Sequence, residues 1–428
     1  MSEAEASHRA IARWTSRVIP AILAGVAGYG TYVVVDRVCI KFLYQERNQP
    51  AAIIVILILY FLLLFLSLWS YIRTIWTINT DTGLVPLTRT PPPRPERQAS
   101  KKHSRRRKEG DIESQPYANS SAPDSDPNSP GLERFYTKEV FVCESDGRPK
   151  WCPECCNWKP DRAHHSSELG RCVLKMDHYC PWVGGMVSET SFKFFCQFTF
   201  WCALYCMVAL ASSAYCLAEI IHEGRPMDGH IIAAVAIGAF FGLFTFSMTL
   251  TSWRYIFLNV TNIDMLKKAW VYQLAIQVPR GTPSTDKYTT ITYPLPDFSP
   301  STPSAAGVNG HATGPAPPVE GQQNTSFARD QMATKTFAVV RTEHEENPWD
   351  LGWRRNWEEV MGTNIMDWLF PIRKSPCARH DVVESEYAMG PLVDTIKRRY
   401  GLDKLPREGS GGIEMRDVRR DSRRSHRS

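Results

Sequence analysis

Four long runs of uncharged, mostly apolar residues constrain this chain more than any other feature of its sequence. A bilayer core about 30 Å thick needs about 20 apolar helical residues, because no water is present there to satisfy exposed backbone groups. Four runs approach or exceed that length, at residues 18–35, 51–72, 194–218 and 231–253. The sequence therefore predicts an α-helical polytopic membrane protein with four transmembrane helices.

The first run is the weakest of the four, because it contains Pro20 and three glycines. A cleaved signal peptide is the alternative interpretation of such a stretch. The run is long for a signal core, however, and Ala21 and Gly25 have the small side chains that spanning helices use for close packing. We therefore expect a membrane span here.

The distribution of basic residues predicts the orientation of the spans. Four spans place both termini and the loop between spans 2 and 3 on one side. The positive-inside rule makes that side cytosolic. None of the 12 cysteines lies in the outer loop at 219–230, so nothing indicates an oxidised extracellular framework. The flanking basic residues are Arg9, Arg13, Arg17, Arg73, Lys193, Arg254, Lys267 and Lys268 on the predicted cytosolic side, against Arg37, Lys41, Arg47 and Arg225 on the other.

Composition divides the cytosolic parts into ordered pieces and linkers. Residues 88–131 and 279–330 are rich in Pro and Ser, which predicts disordered linkers. Residues 134–192 are rich in Cys, His and Trp, which predicts a small zinc-binding domain between spans 2 and 3. The other expected segments are a cytosolic N-terminus at 1–17, spans 1 and 2 within 18–72, spans 3 and 4 within 194–253, a juxtamembrane segment at 254–278, an amphipathic motif at 347–370 and a basic tail at 400–428.

Two cytosolic features allow more than one interpretation. The net charge of +6 comes largely from basic runs such as 101–108, which are either solvated tracts or regions attracted to anionic lipid headgroups. In the amphipathic motif, Trp349, Trp353 and Trp357 recur at helical spacing, which suits either the membrane interface or ordinary packing. The lipid bilayer is an expected partner. Nucleic acid is not, because no base-reading element is present.

A candidate zinc site lies in the cysteine-rich segment. Cys152 and Cys155 form a C-x-x-C pair, which offers two thiolates to a tetrahedral metal but also resembles a redox dithiol. His165 and Cys172 follow within twenty residues and complete a Cys₃His set, which favours zinc. His164 remains an alternative to His165, because the sequence does not show which imidazole points inward.

A candidate nucleophile follows in the string Asp177-His178-Tyr179-Cys180. A cysteine thiol needs a neighbouring base to react at neutral pH, and that base needs an orienting carboxylate. In an extended stretch His178 and Cys180 point the same way. Taken without its context, such a string is more often a solvated turn. This one lies thirteen residues before Lys193, where the third span begins, so an acyl chain could remain in lipid while its polar head reaches Cys180.

These motifs together resemble a known family. The run 152–195, with Lys159, Arg162 and the DHYCPW string at 177–182, looks like the cysteine-rich domain of the DHHC-type protein S-acyltransferases, and in particular the fungal branch with a DHYC signature. The segment 261–264 (TNID) resembles the family's T-T-x-E motif. The segment 347–352 (NPWDLG), with Asn356 and Val360, resembles its C-terminal motif.

The resemblance implies a two-step palmitoyl transfer. Long-chain acyl-CoA, such as palmitoyl-CoA, would acylate Cys180, and membrane-proximal cysteines of substrate proteins would then take the acyl group. His178 would be the general base and Asp177 its orienting group. The substrate-binding positions carried over are Trp182, near the acyl chain or coenzyme A, and Thr261 and Asp264, which would hold the active-site domain against the membrane.

The chain departs from the family at a second zinc site. Members bind two zinc ions, and the four positions of the second site carry no metal ligand set here, so we predict one ion. We expect that three of the replacing side chains pack on one another where the metal would be. The four residues at these positions are Ser166, Leu169, Tyr179 and Met186, of which the last three form the expected cluster.

Two other functions compete with the enzyme. The first is a catalytically silent membrane scaffold that retains the same fold, since Tyr179 lies inside the signature. The second is a zinc-ribbon membrane adaptor of ubiquitin-ligase type. The adaptor is weakened because a cross-braced ligase domain needs two zinc sites, and only one Cys₃His set remains.

Overall fold

The structure is a computed structural model that describes residues 3–88, 129–266, 271–293, 334–380 and 382–405. Four helices in these ranges are long and apolar enough to cross a membrane, at Trp14–Glu46, Pro50–Thr80, Phe192–His222 and Gly229–Leu258. They confirm the predicted four-span class. The expected linker residues 89–128 and 294–330, and the tail beyond residue 405, lie outside the described residues.

The helices of the described chain fall into the four spans and shorter helices outside them. They are α1 Glu3–Tyr32, α2 Pro50–Thr80, α3 Glu133–Tyr136, α4 Phe192–His222, α5 Gly229–Leu258, α6 Asn262–Leu266, α7 Trp353–Met361, α8 Ile365–Leu369 and α9 Leu392–Tyr400, with 3₁₀ turns at Pro376–Ala378 and Leu402–Lys404.

The strands form three two-stranded hairpins and one four-stranded sheet. They are β1 Val140–Cys143, β2 Lys150–Cys152, β3 Asn157–Lys159, β4 His164–Ser166, β5 Arg171–Val173, β6 His178–Cys180, β7 Gly185–Val187, β8 Gln273–Val278, β9 Thr289–Tyr293 and β10 Lys335–Arg341.

The first span is longer than predicted at both ends. Residues 3–17, expected to be a separate cytosolic N-terminus, already belong to α1, which continues into a π-helix at Val33–Glu46. The expected end at residue 35 is therefore wrong. Charge ends the apolar run but not the helix, because Asp36 pairs with Lys41 at 3.1 Å and Arg37 with Asp228 at 3.2 Å.

The four-stranded sheet corrects two of the predicted segments. Its strands are ordered β1-β8-β10-β9 and all neighbours are antiparallel. The predicted linker 279–330 is wrong for residues 279–293, which include β9, and the juxtamembrane segment 254–278 contains β8. The alternation in 273–278 (QLAIQV) carried this signal. The short strand β9 was not predicted, because the Pro- and Ser-rich residues that follow it favoured a linker.

Pairing between β1 and β8 also bears on the topology. Strand β1 precedes spans 3 and 4 in the chain, whereas β8 follows them, and Val142 lies opposite Leu274. Two hydrogen-bonded strands must lie on the same side of a bilayer. The two later spans therefore form one membrane hairpin, with the cysteine-rich segment and the C-terminal strands on the same side.

The 347–370 motif packs against the end of the fourth span. A helix ends with carbonyl groups that have no partner within the helix. Two of those of α5 accept hydrogen bonds from side-chain amides, Leu258 O from Asn347 and Phe257 O from Asn356, both at 2.8 Å. Trp357 stacks on Phe257 with ring centroids 5.5 Å apart. The contact of Trp357 supports ordinary packing of the motif. Trp353, which is 69% exposed, supports the membrane interface.

Candidate active site

Two hairpins bring the predicted metal ligands together. Cys152 ends β2 and Cys155 lies in the turn that follows, while His165 on β4 faces Cys172 on β5. Their four donor atoms all lie within 4.8 Å of one another, and His165 Nδ1 is 3.3 Å from Cys155 Sγ. Three thiolates and one imidazole at this spacing fit tetrahedral zinc. His164, the alternative ligand, instead lines a neighbouring basic pocket.

The metal knuckle is tied to the second span. The chain that leaves α2 runs beside β5, where Val85 N–H donates to Cys172 O at 2.9 Å and Leu174 N–H donates to Gly83 O at 2.8 Å. The candidate ligand Cys172 therefore lies on a strand whose backbone is hydrogen-bonded to the segment that leaves the second membrane helix. A metal at this site would stiffen the domain relative to the bilayer.

The four positions of the family's second metal site do not form a metal-ligand cluster among the described residues. Tyr179 and Met186 lie opposite each other in the β6–β7 hairpin, and Met186 is fully buried. Leu169 was expected to join them, but it is 38% exposed at a hairpin turn, where its N–H donates to Ser166 Oγ. The predicted three-residue cluster is therefore wrong for Leu169, because the tight turn points this residue towards solvent.

The candidate catalytic residues lie on the β6–β7 hairpin. Alternation along β6 places His178 and Cys180 on one face, and the thiol lies close enough to help raise the pKa of the imidazole. His178 Nδ1 is 2.6 Å from Asp177 Oδ2. Burial alone would lower the pKa of His178, but its hydrogen bonds to Asp177 and Cys180 outweigh burial and raise this pKa to about 10. The imidazole is therefore a strong proton acceptor beside the thiol.

Asp177 is held from a part of the chain that the sequence did not connect to it. Its second oxygen, Oδ1, accepts the backbone N–H of Asn262 at 2.9 Å, and the residue is 4% exposed. Asn262 is the first residue of α6, so this N–H has no partner within its own helix. A carboxylate is a favourable partner at that position.

The segment 261–264 is itself braced by Arg162. Thr261 N–H and Thr261 Oγ1 both donate to Asp264 Oδ2 at 3.0 Å, and Arg162 donates to the same oxygen at 3.1 Å. Arg162 also donates to the side-chain and backbone oxygens of Asn259. Thr261 and Asp264 are both buried, so they support Asp177 through Asn262. The sequence showed one signal for Asn259, because asparagine often follows the last residue of a helix.

Cys180 lies beside the end of α2 and the start of α4. It is 4% exposed and packs among apolar side chains that include Ile78 of α2 and Phe195 of α4. His178 belongs to the same short strand, and Cys180 helps to raise its pKa, so burial has not separated the two groups. The Trp182 ring packs against Phe244 of α5 at a centroid distance of 5.4 Å.

An apolar cavity of about 180 Å³ lies between the four spans. Tyr71 and Phe198 line it, and both also pack in the apolar cluster that contains Cys180. Farther from the hairpin, Tyr205 lines the cavity and its hydroxyl lies 2.6 Å from that of Tyr60, which in turn contacts Thr31 at 3.1 Å. One end of the cavity therefore lies near Cys180. Farther along, the cavity is bordered by Tyr205, whose hydroxyl belongs to a hydrogen-bonded network with Tyr60 and Thr31.

A small pocket with a basic lining lies next to the Arg162 brace. Lys150, Lys159, Arg162 and His164 line it together with Asp161 and Asp264, of which Asp264 pairs with Arg162. Burial raises the pKa of Asp161 to about 7, so this carboxyl is only partly ionised at neutral pH. The two lysines therefore leave the pocket with an excess of positive charge.

Comparison with known proteins agrees with this geometry. The model of the DHHC palmitoyltransferase family matches residues 145–269. Palmitoyltransferase pfa5 of Aspergillus fumigatus is 37% identical over 421 residues, covering 91% of this chain and 90% of that protein. Palmitoyltransferase pfa5 of Emericella nidulans is 36% identical over 434 residues, with 91% and 86% covered. Palmitoyltransferase PFA3 of Saccharomyces cerevisiae is 26% identical over 253 residues, with 56% and 57% covered.

The chain belongs to the DHHC palmitoyltransferase family. It is an enzyme of the protein S-acyltransferase class, carried on four membrane helices. The resemblance inferred from the DHYC string and its neighbouring motifs is thereby confirmed.

Proposed function

We propose that the enzyme transfers a long-chain acyl group from acyl-CoA to membrane-proximal cysteines of substrate proteins through an acyl-enzyme on Cys180. One observation carries the proposal. The thiol of Cys180, on the same strand face as His178, lies in the apolar cluster that shares Tyr71 and Phe198 with the cavity among the spans. A nucleophile and an acyl-chain site therefore adjoin each other at the edge of the membrane.

In the first step His178 takes the proton of the Cys180 thiol. The thiolate attacks the carbonyl carbon of the acyl-CoA thioester, a carbon–sulfur bond to Cys180 forms, and the bond to coenzyme A breaks. The departing thiolate receives the proton from His178. Asp177 stabilises the imidazolium between these transfers through its contact with Nδ1 at 2.6 Å.

In the second step a cysteine thiol of the substrate protein gives its proton to His178. Its sulfur attacks the acyl carbonyl carbon on Cys180, and the enzyme thiolate leaves and is reprotonated. Each step breaks one thioester bond and forms another, and the proton taken up by His178 is returned. No oxidant or other co-reactant is needed. Substrates whose cysteines lie close to the membrane surface meet this geometry, because Cys180 is positioned at the ends of the spans.

The acyl chain would occupy the cavity between Tyr71 and Tyr205. Each buried CH₂ group contributes about 0.8 kcal/mol, so a long chain gains most from an apolar site. The lining is almost entirely carbon, with small residues such as Ala24 and Gly238 where the helices approach each other. The phosphates of coenzyme A would remain on the cytosolic side, where Lys150 and Lys159 offer complementary charge.

One zinc ion would be held by Cys152, Cys155, His165 and Cys172. Bound there, zinc supplies structural stabilisation, since all four positions are filled by protein ligands and no open coordination site is left for substrate. Its role is to fix the β4–β5 hairpin against the end of span 2. Ser166, Leu169, Tyr179 and Met186 offer no second set of ligands of this kind, which supports a single ion per chain.

We propose that the active site and both termini face the cytosol. The excess of basic residues beside the spans on that side supports this orientation. On the opposite side, basic residues are largely matched by acids, as in the pairs Arg47–Glu219 and Arg225–Glu46.

Labelled acyl-CoA tests the proposed function. The purified protein should acquire a thioester-linked label that neutral hydroxylamine removes, and Cys180→Ser should abolish it. His178→Ala should reduce the rate by about 10²- to 10⁴-fold, the usual contribution of a positioned base. Cys156→Ser, which alters a thiol outside the site, should retain the label. A wild-type protein that binds acyl-CoA without forming a thioester would instead be a scaffold.

A further inference from the structure

The hairpin that carries Cys180 depends on the membrane helices for its position. Strands β6 and β7 have three residues each. An isolated two-stranded hairpin of this size is at best marginally stable. The alignment of the sulfur with a bound thioester must therefore come from contacts between the hairpin and the spans.

Two glycines bring the hairpin close to the first two spans. A Cβ atom on Gly185 would overlap Ile78 of α2, and one on Gly184 would lie 2.9 Å from the Cβ of Ser16 of α1. Gly184 also has φ of +71°, a conformation that favours glycine. The turn after Cys180 is thus packed against α1 and α2 at backbone distance.

Tyr71 adds a directional contact to this packing. Its hydroxyl, on α2, donates to the carbonyl oxygen of Trp182 at 2.9 Å. Trp182 is two residues beyond Cys180, within the turn, so this bond fixes a peptide group next to the nucleophile. Packing alone leaves a turn free to slide, whereas a hydrogen bond specifies distance and direction.

The ring of Tyr71 faces the acyl-chain cavity. It lines the cavity, and it packs on Phe198 of α4 with ring centroids 4.9 Å apart. The same side chain therefore contacts the space for the acyl chain through its ring and the catalytic turn through its hydroxyl. Among the cavity-lining residues that the structure describes, Cys202 and Tyr205 lie deeper along α4, away from the hairpin.

We propose that Tyr71 is a positioning residue for the transfer reaction, which aligns Cys180 with the thioester of an acyl chain packed against its own ring. The inference rests on the proposed function, since it assumes that the cavity holds the acyl chain. Tyr71 takes no proton from the reactants and acts only through the Trp182 peptide. Its loss should therefore slow the reaction of bound acyl-CoA and leave acyl-CoA binding intact.

The test is Tyr71→Phe, which removes the hydroxyl and retains the ring. The maximal rate of acyl-enzyme formation should fall about three- to tenfold, as expected for one net hydrogen bond. KM for acyl-CoA should stay within about twofold of the wild-type value, because the phenylalanine ring leaves the apolar lining of the cavity unchanged. Alkylation of Cys180 by iodoacetamide should keep its wild-type rate, since this small reagent needs the thiolate but no alignment with a bound chain.

Tyr215→Phe is the matched control. It removes a hydroxyl from a 47% exposed position of α4 that does not line the cavity, so the maximal rate should be unchanged. An unchanged maximal rate in Tyr71→Phe would overturn the proposal. So would a parallel fall in alkylation, which would assign the hydroxyl to thiolate formation. Absence of an acyl-enzyme in the wild type would refute the proposed function instead.

Discussion

The backbone N–H of Asn262 donates a 2.9 Å hydrogen bond to Asp177 Oδ1, which leaves Asp177 Oδ2 for His178. A residue beyond the fourth span thus orients the carboxylate that orients the catalytic imidazole. This bond comes from the backbone, so the identity of the Asn262 side chain does not determine it. The contact can be tested by a substitution that removes only the N–H.

Asn262→Pro should slow acyl-enzyme formation about tenfold or more, because Asp177 loses a charge-assisted partner of about 1.5–3 kcal/mol. Proline is tolerated at the first position of a helix, which Asn262 occupies in α6. Asn262→Ala retains the N–H and should keep most of the activity. Single-turnover acylation of the two variants decides the question, and equal rates would show that the backbone contact has no influence.

Removal of the Asp177 charge should change how Cys180 reactivity depends on pH. The pKa of His178 is raised to about 10, above its ordinary value of 6.5, so protonated imidazole is favoured in the folded protein. The interaction of protonated His178 with Asp177 therefore stabilises the folded protein fully below about pH 6.5. This contribution to stability is lost as the pH rises through about 10. In Asp177→Asn the carboxylate no longer raises this pKa, and the thiolate loses its imidazolium partner near neutral pH.

Iodoacetamide alkylation followed by mass spectrometry measures this effect. At pH 7 Asp177→Asn should be alkylated more slowly than the wild type, because it lacks the protonated imidazole that favours the thiolate, and the difference should narrow as the pH rises. Glu168→Gln removes a nearby carboxylate that contacts Ser166 instead of His178, and should follow the wild type. Equal rates in Asp177→Asn and the wild type at pH 7 would mean that Asp177 does not influence thiolate formation.

Metal content should be about one zinc per chain. Cys172→Ser should release that ion and lower the thermal stability of the cysteine-rich domain, because a structural zinc contributes about 10–16 kcal/mol of binding free energy. Elemental analysis of purified protein measures the stoichiometry directly. Two zinc ions per wild-type chain would contradict the prediction and would require ligands other than Ser166, Leu169, Tyr179 and Met186.

Acyl-chain preference should depend on Tyr205. Tyr205→Ala deletes a large side chain that lines the cavity and contacts Tyr60, so longer acyl-CoA should gain relative to shorter acyl-CoA. Competition between labelled chains of different length measures the shift. Tyr215→Ala, at a 47% exposed position of the same helix, should leave the preference unchanged. An identical preference in both variants would place the chain end elsewhere.

A larger side chain at Gly30 should shift the acyl-chain preference in the opposite direction. Gly30 lines the cavity, and a Cβ atom there would lie at ordinary contact distance, 3.8 Å, from the Tyr60 hydroxyl, so a larger side chain would take up cavity volume. Gly30→Leu should therefore favour shorter chains in the same competition assay. A shift towards longer chains would indicate that α1 moves aside to accommodate the leucine.

The sequence predicted those features whose signal is local. The four apolar runs, the Cys₃His spacing and the same-face relation of His178 and Cys180 depend on residues close together in the chain. Their geometry follows from helix rise, ligand spacing and strand alternation. The structure agrees with each of them, although the first span extends beyond the apolar run because its charges are paired.

The remaining parts depend on contacts between distant segments, which a single sequence does not reveal. Arg162 contacts Asp264 across about a hundred residues and two membrane spans, and β10 follows a long Pro- and Ser-rich stretch before it joins β8. Tyr71 could not be singled out either, because a tyrosine near the end of a span ordinarily marks the membrane interface. Only its contact with Trp182 distinguishes it.

The pairing of β1 with β8 imposes an order on biosynthesis. The ribosome makes β1 before the third and fourth spans and β8 after both, so Phe141 and Val142 must wait for their partners until the membrane hairpin has been inserted. The N–H that orients Asp177 arrives equally late. A chain halted after its third span would hold Cys180 without these contacts, so we expect efficient acyl transfer only once insertion is complete.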